Sequence, residues 1–153
     1  MKNIQKVLTD IIQESSKIFW ILFKVILPVI IIIRALELLG AIPYLAKFLE
    51  PLTSFIGIDG SLGLVWMAAI LVNIYAGMAA FASLQPIFDY TVAETTILGL
   101  IILIAHSLPI EVAIARQSRV SAIFNLLFRF INAVIAGKIL NYIFIKFELF
   151  NEK

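Results

Sequence analysis

The chain has 153 residues, 62% of them hydrophobic and 14% charged, with a net charge of +2 and no cysteine. A soluble domain of this length is roughly 45–50% apolar and needs a larger polar coat, so lipid is the solvent that this composition fits. The small charge excess, without a basic cluster interleaved with aromatics, excludes nucleic acid as a partner, and the lack of cysteine excludes disulfides, thiolate chemistry and cysteine-ligated metal.

In residues 1 to 16, Ile4, Val7, Leu8, Ile11 and Ile12 recur at helical spacing, with Lys2, Lys6, Asp10 and Glu14 elsewhere on the wheel. This predicts an amphipathic helix lying in the membrane surface. Asp10 and Glu14, and the lack of a small-residue cleavage site after a short apolar core, are unlike a secretory signal. From Ile18 to Leu39 the chain is almost continuously apolar. At 1.5 Å per residue that stretch reaches about 33 Å, enough to cross the hydrocarbon core.

Gly40 and Pro43 predict a stop and a restart, since glycine suits a left-handed cap and proline suits a first helical turn. Ile42, Leu45, Phe48, Leu49 and Leu52 then form an apolar stripe opposite Lys47 and Glu50, the pattern of a short interfacial helix. Gly57-Ile-Asp-Gly60 is turn chemistry, and Ser61 is placed to cap a second crossing from Leu62 to Leu84. The middle of that run reads Asn73-Ile-Tyr-Ala-Gly77, polar and flexible where a plain anchor carries Leu and Val.

The third segment starts near Val92 and is interrupted by His106-Ser-Leu-Pro109, after which Pro109 and Glu111 open a new helix. It is either a discontinuous crossing or a hairpin turning back at mid-depth, and such backbone survives in a membrane only where protein or a wet cavity satisfies it. The last segment, Val120 to Phe147, is a full crossing with Asn125, Arg129, Asn132 and Ala136 on one face, which should look into protein or a cavity rather than lipid.

These readings add up to an all-α, polytopic membrane protein with about four membrane segments, interfacial amphipathic helices and at least one broken or re-entrant helix. Its organisation is an amphipathic helix over 1–16, one transmembrane domain over 17–147 and a short polar tail over 148–153. The positive-inside rule places Lys2, Lys6 and Lys17 in the cytoplasm, the loop around residues 40 to 60 outside, and residues 85 to 92 back in the cytoplasm. A re-entrant third segment then leaves the C-terminus outside, and a straight crossing reverses it.

Polar groups within the apolar segments are the only chemistry present. Asn73, Tyr75, Gly77, Ser83, Glu94, Thr95, His106, Ser107, Glu111 and Asn132 are the candidate substrate-binding residues, gathered mainly at two interruptions and on the last helix. An anion suits the amides freed at Pro109, and a cation suits the carbonyls that end the helix before His106. His106 is the single histidine, so structural hydrogen bonding is favoured over a metal or proton-carrier role. Arg34 and Glu37, three apart, read as a structural ion pair, and Arg129 as a partner for Glu94 or Glu111. There is no catalytic set, no phosphate-binding glycine loop and no two-histidine zinc motif, so neither an enzyme, a metal nor a cofactor is expected.

The stretches Leu49-Glu-Pro-Leu-Thr-Ser-Phe-Ile-Gly57, Val72-Asn-Ile-Tyr-Ala-Gly-Met-Ala-Ala-Phe-Ala-Ser-Leu84 and His106-Ser-Leu-Pro-Ile-Glu-Val-Ala-Ile-Ala-Arg-Gln-Ser118 resemble the nucleoside-recognition, or Gate, domain family over most of residues 18 to 145. That family includes small bacterial inner-membrane proteins such as the spore maturation proteins, and gate regions of ferrous iron and nucleoside transporters. The chain departs from it at Arg119, where similar sequences tend to have glycine. The resemblance implies a transporter-like or channel-like protein for a nucleoside-like compound or a metal ion. The alternative is a non-transporting structural or assembly subunit of a membrane complex. Four segments with polar faces enclose a path poorly, so the implied partner within the lipid bilayer is a second copy or a related Gate subunit.

Overall fold

The computed structural model describes residues 4–117 and 121–147. Lys2, Arg119 and the expected tail 148–153 lie outside the described residues, as do the side chains of Lys6 and Arg116. The described residues form seven α-helices and no strand: α1 (Ile4–Leu38), α2 (Ile42–Ile56), α3 (Gly60–Leu71), α4 (Ile74–Leu84), α5 (Val92–Ile104), α6 (Leu108–Gln117) and α7 (Ala122–Lys146).

Helix α1 is 35 residues long, about 52 Å at the α-helical rise. The surface helix expected over 1–16 and the crossing expected after it are one continuous element, because no glycine or proline interrupts the chain before Pro28. Gly40, with φ of +65°, closes α1, and Pro43 sits in the first turn of α2 as its fixed φ requires. Gly57, with φ of +95°, caps α2, its amide donating to the Thr53 carbonyl at 2.8 Å. The chain then bends by 92° into α3. The cap of α3 is Asp59 rather than Ser61: helix begins two residues earlier than expected, and the Asp59 carboxylate accepts from the Ser61 amide.

Residues 62 to 84 do not form one crossing. Asn73 stands in extended backbone, and its side chain accepts from the Ala76 amide at 3.0 Å, starting a new helix. Helices α3 and α4 pack on each other as an antiparallel hairpin: a Cβ added at Gly77 would lie 2.8 Å from the Ala69 Cβ and 3.4 Å from the Val65 carbonyl oxygen. In one straight rod Val65 and Gly77 would stand about 18 Å apart along the axis. The arms of 12 and 11 residues each reach about 17 Å, roughly half the hydrocarbon thickness, so neither spans it and both ends of the segment lie at one level.

The third segment, by contrast, is long and apolar enough to cross. Val92–Val112 is one of three stretches long and apolar enough to span, with Val7–Leu38 and Ala122–Lys146, and α5 and α6 do not fold back on each other. The hairpin over residues 62–84 changes the path predicted from charge. Residues 85–91 lie at the end where α1 finishes and α3 begins, the same end as residues 40–60, instead of returning to the N-terminal side. Helix α7 then runs back along α5 and α6, so its last turns reach the level of Gly57, where Asn141 meets the turn.

The core lies where α3, α5 and α7 meet: Leu62, Val65, Trp66, Ile97, Ile101 and Ala133 are buried, and Trp66 stacks on Phe130 with ring centroids 5.2 Å apart. Gly137 lets α7 approach this core, since a Cβ there would lie 2.5 Å from Ile56 and 2.9 Å from Ile101. Outward, Ile123, Phe124, Leu127, Phe128, Ile131, Ile135 and Ile139 of α7 are each at least half exposed, an apolar coat that requires lipid around it.

Candidate functional site at the meeting of two helix breaks

The tip of the α3–α4 hairpin meets the break between α5 and α6. Ala105 leaves the helical ladder in extended backbone, and Ser107 takes a positive φ of 52°, rare for a residue with a side chain. The Ser107 amide donates to the Ala69 carbonyl at 2.9 Å, joining the break to the hairpin. Its carbonyl accepts from the amides of Ile110 and Glu111, which starts α6.

A broken ladder within a membrane must have its freed carbonyls satisfied. Here the protein does so itself. The Ile101 carbonyl accepts from the Ala105 amide at 2.9 Å, and that of Ile102 from Nδ1 of His106 at 2.9 Å. Arg129 Nη1 donates to the Ile104 carbonyl at 3.1 Å, and Trp66 Nε1 to the Ala105 carbonyl at 3.2 Å. The carbonyls of Ile101, Ile102, Ile104 and Ala105 therefore already have donors, and the amides of Ile110 and Glu111, expected to attract an anion, are bonded to Ser107. Because a carbonyl only accepts, His106 carries its proton on Nδ1, the structural hydrogen-bonding role expected of it.

Arg129 also pairs with Glu111, Nη1 to Oε1 at 2.7 Å, with the side chains 37% and 17% exposed respectively. This selects Glu111 over Glu94 as the partner of Arg129. The second carboxylate oxygen of Glu111 is buried with no hydrogen-bond donor among the described residues. Burying a carboxylate with one oxygen unserved is costly, so this oxygen is an acceptor that a bound donor would satisfy.

The candidates divide by position. Asn73 caps α4 at the hairpin tip, beside the half-exposed Tyr75, and His106, Ser107 and Glu111 belong to the break. Gly77 is buried against Ala69, where it admits close approach of the hairpin arms. Glu94 stands elsewhere, about 25 Å from Glu111 along the α5–α6 axis. It completes the capping box of α5 with Thr91 and accepts from the Asp59 amide at 3.1 Å, tying the base of the hairpin to α5. Thr95 and Ser83 bond back to carbonyls of their own helices, at 3.0 Å and 2.9 Å. Asn132 is exposed and donates to the Phe128 carbonyl at 2.6 Å, so the expected inward face of α7 is turned: Arg129, Ala133 and Gly137 face in and Asn132 faces out. Arg34 and Glu37 form the expected ion pair near the end of α1. No group of three or more His, Asp or Glu among the described residues is placed to hold a metal ion.

Trp66 and Tyr90 escaped the sequence reading. An indole within a run of small residues was the available signal, since a buried Trp N–H needs an acceptor. Tyr90 bonds Ser61 Oγ at 2.7 Å and stacks on Phe81 and Phe88. Burial pushes its hydroxyl up from 10.0 to about 12, with the charges of Asp59 and Glu94 adding to the effect and the Ser61 bond opposing it.

Compared with known proteins, the chain matches no family model and no solved structure. It is 29% identical over 98 residues to an uncharacterised membrane protein, YvoD, of Bacillus subtilis strain 168. The match covers 64% of this chain and 30% of that protein, so it spans under a third of the relative's length. With three helices fit to span a bilayer, the chain is a helical membrane protein.

Proposed function

We propose that the chain is a transporter-like protein of the nucleoside-recognition, or Gate, type, binding a small solute where the hairpin tip meets the α5–α6 break. One observation carries this reading: two separate interruptions of the helical ladder are joined by the Ser107–Ala69 bond, next to a buried carboxylate oxygen of Glu111 without a donor among the described residues. Broken helices meeting at mid-depth are the architecture in which transporters bind their cargo. A solute bearing hydroxyl or amino donors, such as a nucleoside-like compound, suits Glu111 Oε2 better than an anion does. A metal ion is the weaker choice, because the carbonyls of Ile101, Ile102, Ile104 and Ala105 already have donors.

The reading includes a second copy or a related subunit. Asn132 stands exposed on a crossing helix, where a polar side chain is better served by another polypeptide than by acyl chains. It also places the protein in a bacterial inner membrane with its N-terminus in the cytoplasm. The first two thirds of α1 carry Lys17 and Lys24, whereas Glu37, Glu50, Asp59, Asp89 and Glu94 lie, with Lys47, toward the opposite end.

Ligand-induced thermal stabilisation of the purified chain tests the binding claim, with nucleosides and divalent ions as probes. A nucleoside that raises the unfolding temperature of wild type and of Asn73→Ser, which keeps the cap, but not of Glu111→Gln supports it. No response to any probe, with tight co-purification of another membrane protein, favours the assembly-subunit reading instead.

A further inference from the structure

A second cavity lies far from the helix breaks, in the crook of the 92° bend between α2 and α3. It measures about 500 Å³, within the range of small-molecule sites. Lys47, Glu50 and Ser54 of α2, the turn at Asp59 and Gly60, and Glu94 of α5 form its walls. Asp59 and Glu94 are engaged with neighbouring amides through one or more oxygens, whereas the side chains of Lys47 and Glu50 have no ion-pair or hydrogen-bond partner among the described residues. The cavity opens at the level where α1 ends and α3 and α5 begin, which is where apolar spans give way to the headgroup layer.

Helix α2 carries three sectors at 100° per residue. Ile42, Thr53 and Ile56 are buried in the protein, Lys47, Glu50 and Ser54 line the cavity, and Tyr44 and Phe48 project outward, 79% and 80% exposed. The aromatic sector adjoins the charged one. Large aromatic side chains so exposed on an interfacial helix are placed against acyl chains. A molecule packed on Tyr44 and Phe48 thus has its polar end beside Lys47 and Glu50.

We propose that this cavity seats the headgroup of a zwitterionic phospholipid bearing a primary amine, the phosphatidylethanolamine type. Its phosphate lies toward Lys47, and its ammonium toward Glu50 and Asp59. Three carboxylates against one lysine disfavour a purely anionic headgroup. A primary ammonium has three N–H donors for these carboxylates, and a trimethylated one has none. The site is independent of solute binding at the helix breaks.

Native mass spectrometry of the full chain released from nanodiscs tests this, using equal mixtures of phosphatidylethanolamine, phosphatidylcholine and phosphatidylglycerol. The wild type retains phosphatidylethanolamine over each of the others by roughly fivefold, the ratio expected for a partly exposed charge contact. Lys47→Met/Glu50→Gln loses that preference, and Tyr44→Ser/Phe48→Ser loses retention of all three lipids. Both double variants alter exposed side chains, and Glu50→Gln alone is the fallback if either fails to fold. Equal retention of the three lipids by wild type, or an undiminished preference in the charge variants, overturns the proposal. Displacement of the lipid by water-soluble phosphoethanolamine at matched concentration overturns it in favour of a soluble zwitterion.

Discussion

The amide of Ser107 donates to the carbonyl of Ala69 across 2.9 Å, so the gap in a crossing helix is closed by the arm of a hairpin that does not cross. Each interruption thereby supplies what the other lacks, and neither segment is stable in lipid alone. The consequences can be measured.

The hairpin predicts which loops share a side of the membrane. The chain has no cysteine, so single cysteines can be introduced at exposed Val7, Lys47 and Gln85. A membrane-impermeant thiol reagent should reach positions 47 and 85 from one side and position 7 from the other. Were residues 62–84 a full crossing, 47 and 85 would react from opposite sides.

Arg129 and Glu111 should behave as a coupled pair. Arg129→Met leaves the Ile104 carbonyl and the Glu111 carboxylate without their shared donor, at a cost of about 2–4 kcal/mol. The double variant Arg129→Met/Glu111→Gln should lose less than the sum of the single changes, as read by reversible denaturation in mixed micelles.

Two glycines should respond with opposite signs to alanine. At Gly77 the new Cβ would lie 2.8 Å from that of Ala69, and forcing the arms apart costs about 1–3 kcal/mol. At Gly99 a Cβ meets nothing within 4 Å in mid-helix, so alanine should stabilise by about 0.5–1 kcal/mol. Thermal unfolding in one detergent compares them directly.

The Tyr90 hydroxyl predicts an alkaline limit. Its value is raised from 10.0 to about 12, so the folded chain keeps a proton that the unfolded chain releases in that window. The stabilisation is complete below pH 10 and is lost as pH rises toward 12. Tyr90→Phe should show a smaller loss of stability across this interval, and phenolate absorbance should assign the late-titrating tyrosine.

Much of the architecture was legible because it depends on neighbours along the chain. The long apolar runs of α1 and α7, the Gly40 cap, the turn opening at Gly57 and the restart at Pro43 follow from burial in lipid and from backbone preference, both local in origin. The Arg34–Glu37 pair, separated by one helical turn, was readable for the same reason. Hydropathy could not tell a rod from a hairpin over residues 62–84, since both bury the same apolar residues. That choice turned on the Asn73 cap and on contact of Gly77 with Ala69 across the turn.

The sequence by itself determined that this chain lives in a membrane, where α1 stops and α2 restarts, and that its apolar runs are interrupted around Asn73 and around His106-Ser107. Tertiary structure alone decided which segment turns back, that Arg129 takes Glu111 rather than Glu94, and that Trp66 and Ser107 close the break. The reason is physical: hydropathy and capping act over a few residues, whereas the partner of a freed carbonyl is chosen by which distant side chain packing brings within hydrogen-bond reach.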